Sequence, residues 1–255
     1  MASPSTWDLL RCFGRTYFVN AAYNPRGLQN IGQIFALEPV LAVMYEDGEA
    51  LREARARHIA HANCHPFFVP AWIGMVLHME SAVAERRLSP KVFMQFKDAT
   101  ANALSAIGDS LFNGSMAGLW ALPCACLVLE HHYSAAAWLT LVMFLGLQMV
   151  RFAGFHLGLR RGMGLLTLLR NLNLIDWAER IKMANAVLAA LFLHLSLNGS
   201  PAVLQLGTAL FLLVICRYFA ATRIPRVLIA CGLMLAMIGL AKLDFIPTLE
   251  AFILP

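Results

Sequence analysis

Asn63 and His65 stand just before Pro66, the first residue of the apolar run 66–79, and Glu80 follows that run. Asn and His each present a hydrogen-bond donor and an acceptor, and an ionised Glu accepts. A polar ligand needs a few fixed groups of this kind at the end of an apolar cleft. An ionisable side chain beside intramembrane backbone is costly without a partner, so its default reading is functional. The plainer reading is that Asn63 caps a broken helix and Glu80 faces water. Asp109-Ser110, in the polar break Ile107-Gly108-Asp109-Ser110, is a second candidate. Asp109 there would accept from hydroxyls lining a path; Asp and Ser are also strong helix caps. His58, His61, Cys64 and His65 form a third grouping, of zinc-ligand types, with i, i+3 and i+7 positions on one helical face. Pro66 breaks that helix and no acidic residues stand by to orient the imidazoles. No metal and no other cofactor is expected.

The elements that must carry these residues are helical. Residues 27–45 have Leu28, Ile31, Ile34, Phe35, Val40, Leu41 and Met44 on one apolar stripe, with Gln29, Asn30 and Gln33 off it. Residues 48–62 form a charged helix that ends before Pro66, with Glu53 and Arg57 at i,i+4. The run 66–79 reaches only about 21 Å as a helix, short of a roughly 30 Å hydrocarbon core. Its length favours a re-entrant segment over 66–80. Ser89-Pro90 starts a further helix towards residue 105.

The chain of 255 residues is 59% hydrophobic and only 14% charged, with a mean hydropathy of +0.64. Those values exceed what a soluble core requires, so lipid must be the solvent for much of the surface. The formal charge of +5 needs no nucleic acid, because cytoplasmic loops of membrane proteins collect Lys and Arg. A nucleic-acid site would need a basic stripe with interleaved aromatics, which the sequence lacks. The six cysteines form no disulfide framework, and Cys124-Ala-Cys126 lacks the spacing of a redox or zinc pair. No cleavable signal peptide is expected at the N-terminus.

Five spans are expected after residue 110, at about 111–130, 135–151, 183–198, 201–219 and 226–242. The loops 151–182 and 217–226 are rich in Arg, including Arg151, whereas His131-His132-Tyr133-Ser134 and 197–201 have neither Lys nor Arg. Positive loops stay inside, which places residues 1–110 on the cytoplasmic side and the C-terminus outside. The chain therefore reads as an all-α integral membrane protein. Residues 1–110 form an interfacial helical region and 111–255 a transmembrane one. Gly154, Gly158, Gly162 and Gly164 suit close helix packing. Asn185 and His194 suit hydrogen bonds to a neighbouring helix.

Three stretches resemble a known family in order and spacing, over about residues 20–115. Tyr23-Asn24-Pro25-Arg26-Gly27-Leu28-Gln29-Asn30-Ile31-Gly32, with Pro39 and Tyr45, is similar to its opening segment. His58, Asn63-Cys64-His65-Pro66, Gly74 and Glu80 resemble its "RH…FNTHP…G…EE" signature, and Ile107-Gly108-Asp109-Ser110-Leu111-Phe112 its "GPLAGIGDSLFW". The family is the IID subunit of mannose/fructose/sorbose-class sugar phosphotransferase permeases. The resemblance implies a bacterial inner-membrane subunit that pairs with a membrane subunit IIC to form a hexose path. It implies soluble IIA and IIB phosphocarriers, trimers of IIC–IID pairs, and no phosphorylation site on IID itself. Asn63, His65, Glu80, Asp109 and Ser110 become the sugar-path residues by that resemblance. The sequence departs from the pattern at Ala62, Cys64 and Ser81, and Asn102-Ala103-Leu104-Ser105-Ala106 replaces "GPLAG". These departures keep open a second reading, a IID-derived membrane scaffold or regulatory subunit that no longer transports. A histidine-rich metalloenzyme is the third.

Overall fold

A computed structural model describes residues 3–197, with 201, 206, 207, 210 and 214. The N-terminal helix α1 (Thr6–Arg15) starts with a capping box between Ser5 and Asp8 and passes into a 3-10 helix, Thr16–Ala22. Helix α2 (Asn30–Met44) carries Pro39 in its interior. Pro39 has no N–H for the Phe35 carbonyl four residues back. Arg15 Nη1 donates to that carbonyl at 3.0 Å instead. Asp47 caps α3 (Gly48–His58) through the N–H groups of Glu49 and Ala50. Helix α4 (Val69–Ala84) follows the turn at His65–Phe68, and Ser89 caps α5 (Pro90–Gly108).

α5 does not end at Gly108. The chain continues as a π-helix, Asp109–Met116, into α6 (Ala117–Leu129). A turn at His131 with φ 60° leads to α7 (Tyr133–Arg161). Gly162, at φ +50°, ends α7, and α8 (Gly164–Asn171) and α9 (Leu174–Ser196) follow. Residues 1–188 form one compact unit and residues 189–255 another.

The core of the first unit is α4 laid against α7. Gly74, Gly154 and Gly158 set their separation. A Cβ on Gly158 would lie 2.4 Å from the Ala71 carbonyl oxygen, and one on Gly74 2.4 Å from that of Phe155. The backbones therefore touch, as small residues allow in membrane helices. Gly164 has only an ordinary contact.

Two stretches are long and apolar enough to span a bilayer, Pro90–Leu129 and Tyr133–Arg161. Only 17% and 11% of their apolar windows are buried, so neither is a soluble core helix. Trp138, Val142 and Met149 on α7 are more than half exposed. The expected spans 111–130 and 135–151 fall in these stretches, and 183–198 overlaps α9. The expected spans 201–219 and 226–242 lie, for nearly all their length, outside the described residues.

Several expectations need correction. The boundary at 110 falls inside a continuous helix, because Asn102–Ala106 has no helix breaker and the π-helix carries the axis onward. The polar break at 107–110 is thus no loop, and Asp109 caps no new helix. Of the run 66–79, residues 66–68 form a turn and the rest lies in one helix, α4, which has 12 residues buried in the protein. On α2 the expected stripe divides. Ile31 and Phe35 are exposed, while Gln33 is fully buried. Arg151, counted as a loop charge, sits inside α7 and is 5% exposed.

Candidate functional site

The segment between α3 and α4 is held from one side by the start of α2. Gln29 Nε2 donates to the Cys64 carbonyl at 2.8 Å, and Cys64 N–H donates back to Gln29 Oε1 at 2.8 Å. Gln29 N–H donates to Ala62 O at 2.9 Å. Asn30 Nδ2 donates to Ile59 O at 2.9 Å and is itself braced by Asn24. From the other side, Gly108 admits His65. A Cβ at Gly108 would lie 2.3 Å from His65 Cβ, a distance no side chain tolerates. The three motif stretches, far apart in sequence, thus interlock.

His65 is buried and its ring stacks on Phe112 at 5.1 Å, with Phe67 alongside at 5.7 Å. Phe67 N–H approaches Nδ1 at 3.4 Å, which leaves Nε2 as the proton-bearing nitrogen of the neutral ring. Burial lowers the His65 pKa below its ordinary value, against a hydrogen bond with Asn113 and the Asp109 charge. Nε2 lies 3.9 Å from Asp109 Oδ1. That is too long for a direct hydrogen bond and suits one bridging oxygen. The Asp109 side chain is 63% exposed and accepts from Asn113 Nδ2 at 3.2 Å. Asn63 Nδ2 reaches Ser105 Oγ at 3.5 Å, one helical turn before Asp109. Ser110 is half-buried and its carbonyl accepts from Ser115 Oγ at 2.9 Å.

The π-helix positions these groups. Its wider turn is shown by Ala117 N–H reaching back five residues to Phe112 O. Single π turns recur at functional sites, because they push side chains and carbonyls off the α-helical register. Ser115 Oγ lies 2.9 Å from Ala178 O as well, so its one proton is shared between that carbonyl and Ser110 O, and Asn185 Nδ2 donates to Ser115 O at 2.8 Å; α9 thus braces the π-helix. Beyond Phe67, Phe112 and Asn113 lies an apolar cavity of about 300 Å³, with Trp120 and Thr140 in its wall.

His65 and Asp109 therefore face each other, Asn63 reaches Ser105 one turn before Asp109, Ser110 follows Asp109 in the π-helix with its carbonyl turned to Ser115, and Glu80 does not join them. Fifteen residues after His65, mostly along α4, place it on the order of 20 Å away. Glu80 is fully buried in a second cluster. Tyr45 Oη donates to Oε1 at 2.7 Å, Arg57 Nη2 donates to the same oxygen, and His58 Nε2 lies 3.1 Å from Oε2. Gln33 Nε2 lies 3.2 Å from His58 Nδ1. A neutral His58 that accepts at Nδ1 and donates at Nε2 fits both neighbours. Burial alone would raise the Glu80 pKa, but the His58, Tyr45 and Arg57 hydrogen bonds outweigh it and hold the carboxyl well below its ordinary range. Burial lowers the pKa of His58. Lys97, also fully buried, donates to Arg57 O at 3.3 Å.

His58 and His65 thus belong to different clusters, and His61 is exposed. Among the described residues no three metal-ligating side chains converge. Gln33, Arg57, Lys97 and Asn113 join these clusters without having been marked by their spacing. Only Asn113 carried a signal, since it stands four residues after Asp109 on what is a helix.

A family model described as the PTS system mannose/fructose/sorbose family IID component matches residues 5–191. Over 156 residues the chain is 24% identical to the fructose permease IID component of Bacillus subtilis (strain 168), covering 61% of this chain and 55% of that protein. Over 116 residues it is 25% identical to the mannose-specific EIID component of Escherichia coli (strain K12), covering 45% and 41%. The chain spans about half the length of the curated relatives it matches. Its fold is similar to a solved structure described only as a membrane protein, at TM-score 0.77 and 15% identity over 94% of this chain and 97% of that one. It is also similar to a chain in the cryo-EM structure of the mannose transporter ManYZ with a microcin, at TM-score 0.56 and 16% identity over 95% and 98%.

Proposed function

Because the chain belongs to the mannose/fructose/sorbose family of PTS IID components, we propose that it forms a hexose path together with a IIC membrane subunit. Soluble IIA and IIB subunits then phosphorylate the emerging sugar, and IID carries no covalent intermediate. The complex resides in a bacterial inner membrane as trimers of IIC–IID pairs, with residues before α5 on the cytoplasmic side. Pro90–Leu129 and Tyr133–Arg161 are its first two spans, and further spans follow towards the C-terminus.

One observation carries this reading: three separate motif stretches meet beside a π-helix, where His65 faces the exposed Asp109 carboxylate next to an apolar cavity. Asn63, His65, Asp109 and Ser110 supply donors and acceptors there. His65 Nε2 and Asp109 Oδ1, 3.9 Å apart, can hold one sugar hydroxyl to the side of the line between them, where it would accept from the ring and donate to the carboxylate. Aromatic faces at Phe67 and Phe112 suit the apolar face of a sugar ring. Glu80 serves this pocket only as a brace for the fold.

The test is mannose and fructose uptake by the IIC–IID complex carrying Asn63→Ala, His65→Asn or Asp109→Ala. Each is expected to raise KM by about tenfold, the effect of losing one hydrogen bond to a charged or fixed polar group. Unchanged uptake in all three, with the complex intact, would refute the pocket assignment and favour a non-transporting scaffold.

A further inference from the structure

Arg151 is a buried charge that the pocket does not use. It is 5% exposed within α7, and among the described residues no carboxylate lies within ion-pairing distance of it. Such a cation is costly in a membrane-spanning helix, so some other contact must retain it. Its Nη1 donates to the Pro66 carbonyl at 2.7 Å, and Nη2 to Thr16 Oγ1 at 3.4 Å. Its guanidinium carbon lies 4.0 Å from the centre of the Tyr17 ring.

The Pro66 contact is the shortest, and the sequence explains it. At the start of α4, Val69 N–H donates to His65 O at 2.9 Å and Trp72 N–H to Phe68 O at 2.9 Å. In that register the donor for Pro66 O is the N–H of residue 70. Residue 70 is proline and has none. The guanidinium of α7 takes the vacant place. Arg15 does the same at Phe35 O, the carbonyl that Pro39 leaves free. Twice among the described residues, therefore, an arginine supplies the hydrogen bond that a proline withholds.

We propose that Arg151 is a positioning residue for the sugar path. It fixes the turn at His65–Phe68 by holding the Pro66 carbonyl, for which Pro70 offers no N–H, and so it aims His65 at Asp109. The inference rests on the pocket being the hexose path. The competing role is a plain brace for the N-terminal segment through Thr16 and Tyr17.

The experiment measures mannose and fructose uptake by the IIC–IID complex, with its melting temperature. Arg151→Gln is expected to raise KM about tenfold with little change in maximal rate per intact complex, the factor for one charge-assisted hydrogen bond. Pro70→Ala restores the missing N–H, so the double variant Arg151→Gln/Pro70→Ala is expected to return KM to within about twofold of the parent. Tyr17→Leu removes the ring contact and the 2.6 Å hydrogen bond from Tyr17 Oη to Gln148 Oε1 but leaves the Pro66 contact in place, and is expected to leave KM unchanged. The positioning role is overturned if Arg151→Gln leaves KM unchanged while His65→Asn raises it, if Pro70→Ala gives no rescue, or if Tyr17→Leu reproduces the effect. If Arg151→Gln does not accumulate, the double variant is still expected to accumulate and transport, and its failure overturns the proposal. If His65→Asn has no effect on uptake, the hexose-path reading fails and the positioning role falls with it. The melting temperatures then decide the clamp alone, where recovery in the double variant supports it and simple additivity overturns it.

Discussion

Glu80 is a carboxylate closed off by its own neighbours. Tyr45, Arg57 and His58 occupy its oxygens, and it has no exposure. Removing it strands the largely buried Arg57 guanidinium, a loss of about 3–5 kcal/mol when one partner of a buried pair is deleted. Glu80→Ala should therefore sharply lower the melting temperature and yield of the purified protein, and Glu80→Gln less, because the amide still accepts from Tyr45. The KM of whatever complex assembles should stay near the parent value. A raised KM in a normally stable Glu80→Ala protein would put Glu80 back in the path. Sequence spacing grouped Glu80 with Asn63 and His65 because all three flank one apolar run. A re-entrant run would bring its two ends together, whereas a 16-residue helix keeps them apart. Gln33 was misread for a related reason. Its partner is His58, 25 residues on, and helical periodicity carries no information about such a partner.

The α4–α7 pair was partly legible from its small residues. Gly154 and Gly158 stand one turn apart, and that spacing announces close packing. Their target, α4, could not be read, since Ala71 and Gly74 carry no mark of it. The contact at Gly158 involves backbone atoms, the Ala71 carbonyl oxygen at 2.4 Å and Met75 N at 2.9 Å, which cannot rotate away. Gly158→Val must push the helices apart, at a cost of about 1–3 kcal/mol or more. Gly146 lies on the same helix with nothing within 4 Å of an added Cβ. Gly146→Ala should leave the melting temperature unchanged or slightly raised, because alanine is the better helix former. Equal losses in both variants would show that the α4 contact is not what makes Gly158 sensitive. Arg151 escaped the sequence for the opposite reason. Charge near the end of an apolar run reads as a loop, and only the orphaned Pro66 carbonyl explains its burial.

At the scale of the whole molecule, the interior of the first unit holds titratable groups whose native states resist protonation. His58 has its pKa lowered by burial, with the nearby Lys97 and Arg57 charges adding to that and Glu80 opposing it. His65 is lowered mainly by burial too. Both rings are freed on unfolding and return towards the ordinary value near 6.5. Below that pH the unfolded chain binds more protons than the native one, so stability present above about pH 6.5 is lost as the pH falls. Glu80 acts in the same sense in a lower window. Its native pKa lies below the usual carboxylate value of about 4.3, so its contribution fades only as the pH drops through that region. Acidification from pH 7.5 to 5.5 is thus a histidine effect, worth about 1 kcal/mol for one ring that stays neutral. Thermal unfolding of the detergent-solubilised protein should show a lower melting temperature at pH 5.5 than at 7.5. His58→Gln cannot titrate and still offers an N–H to Glu80, so it should shrink that difference, with His65 supplying what remains. An undiminished acid shift in His58→Gln would mean that His58 is already protonated in the native cluster, and that Glu80 balances an imidazolium besides one guanidinium and one buried lysine.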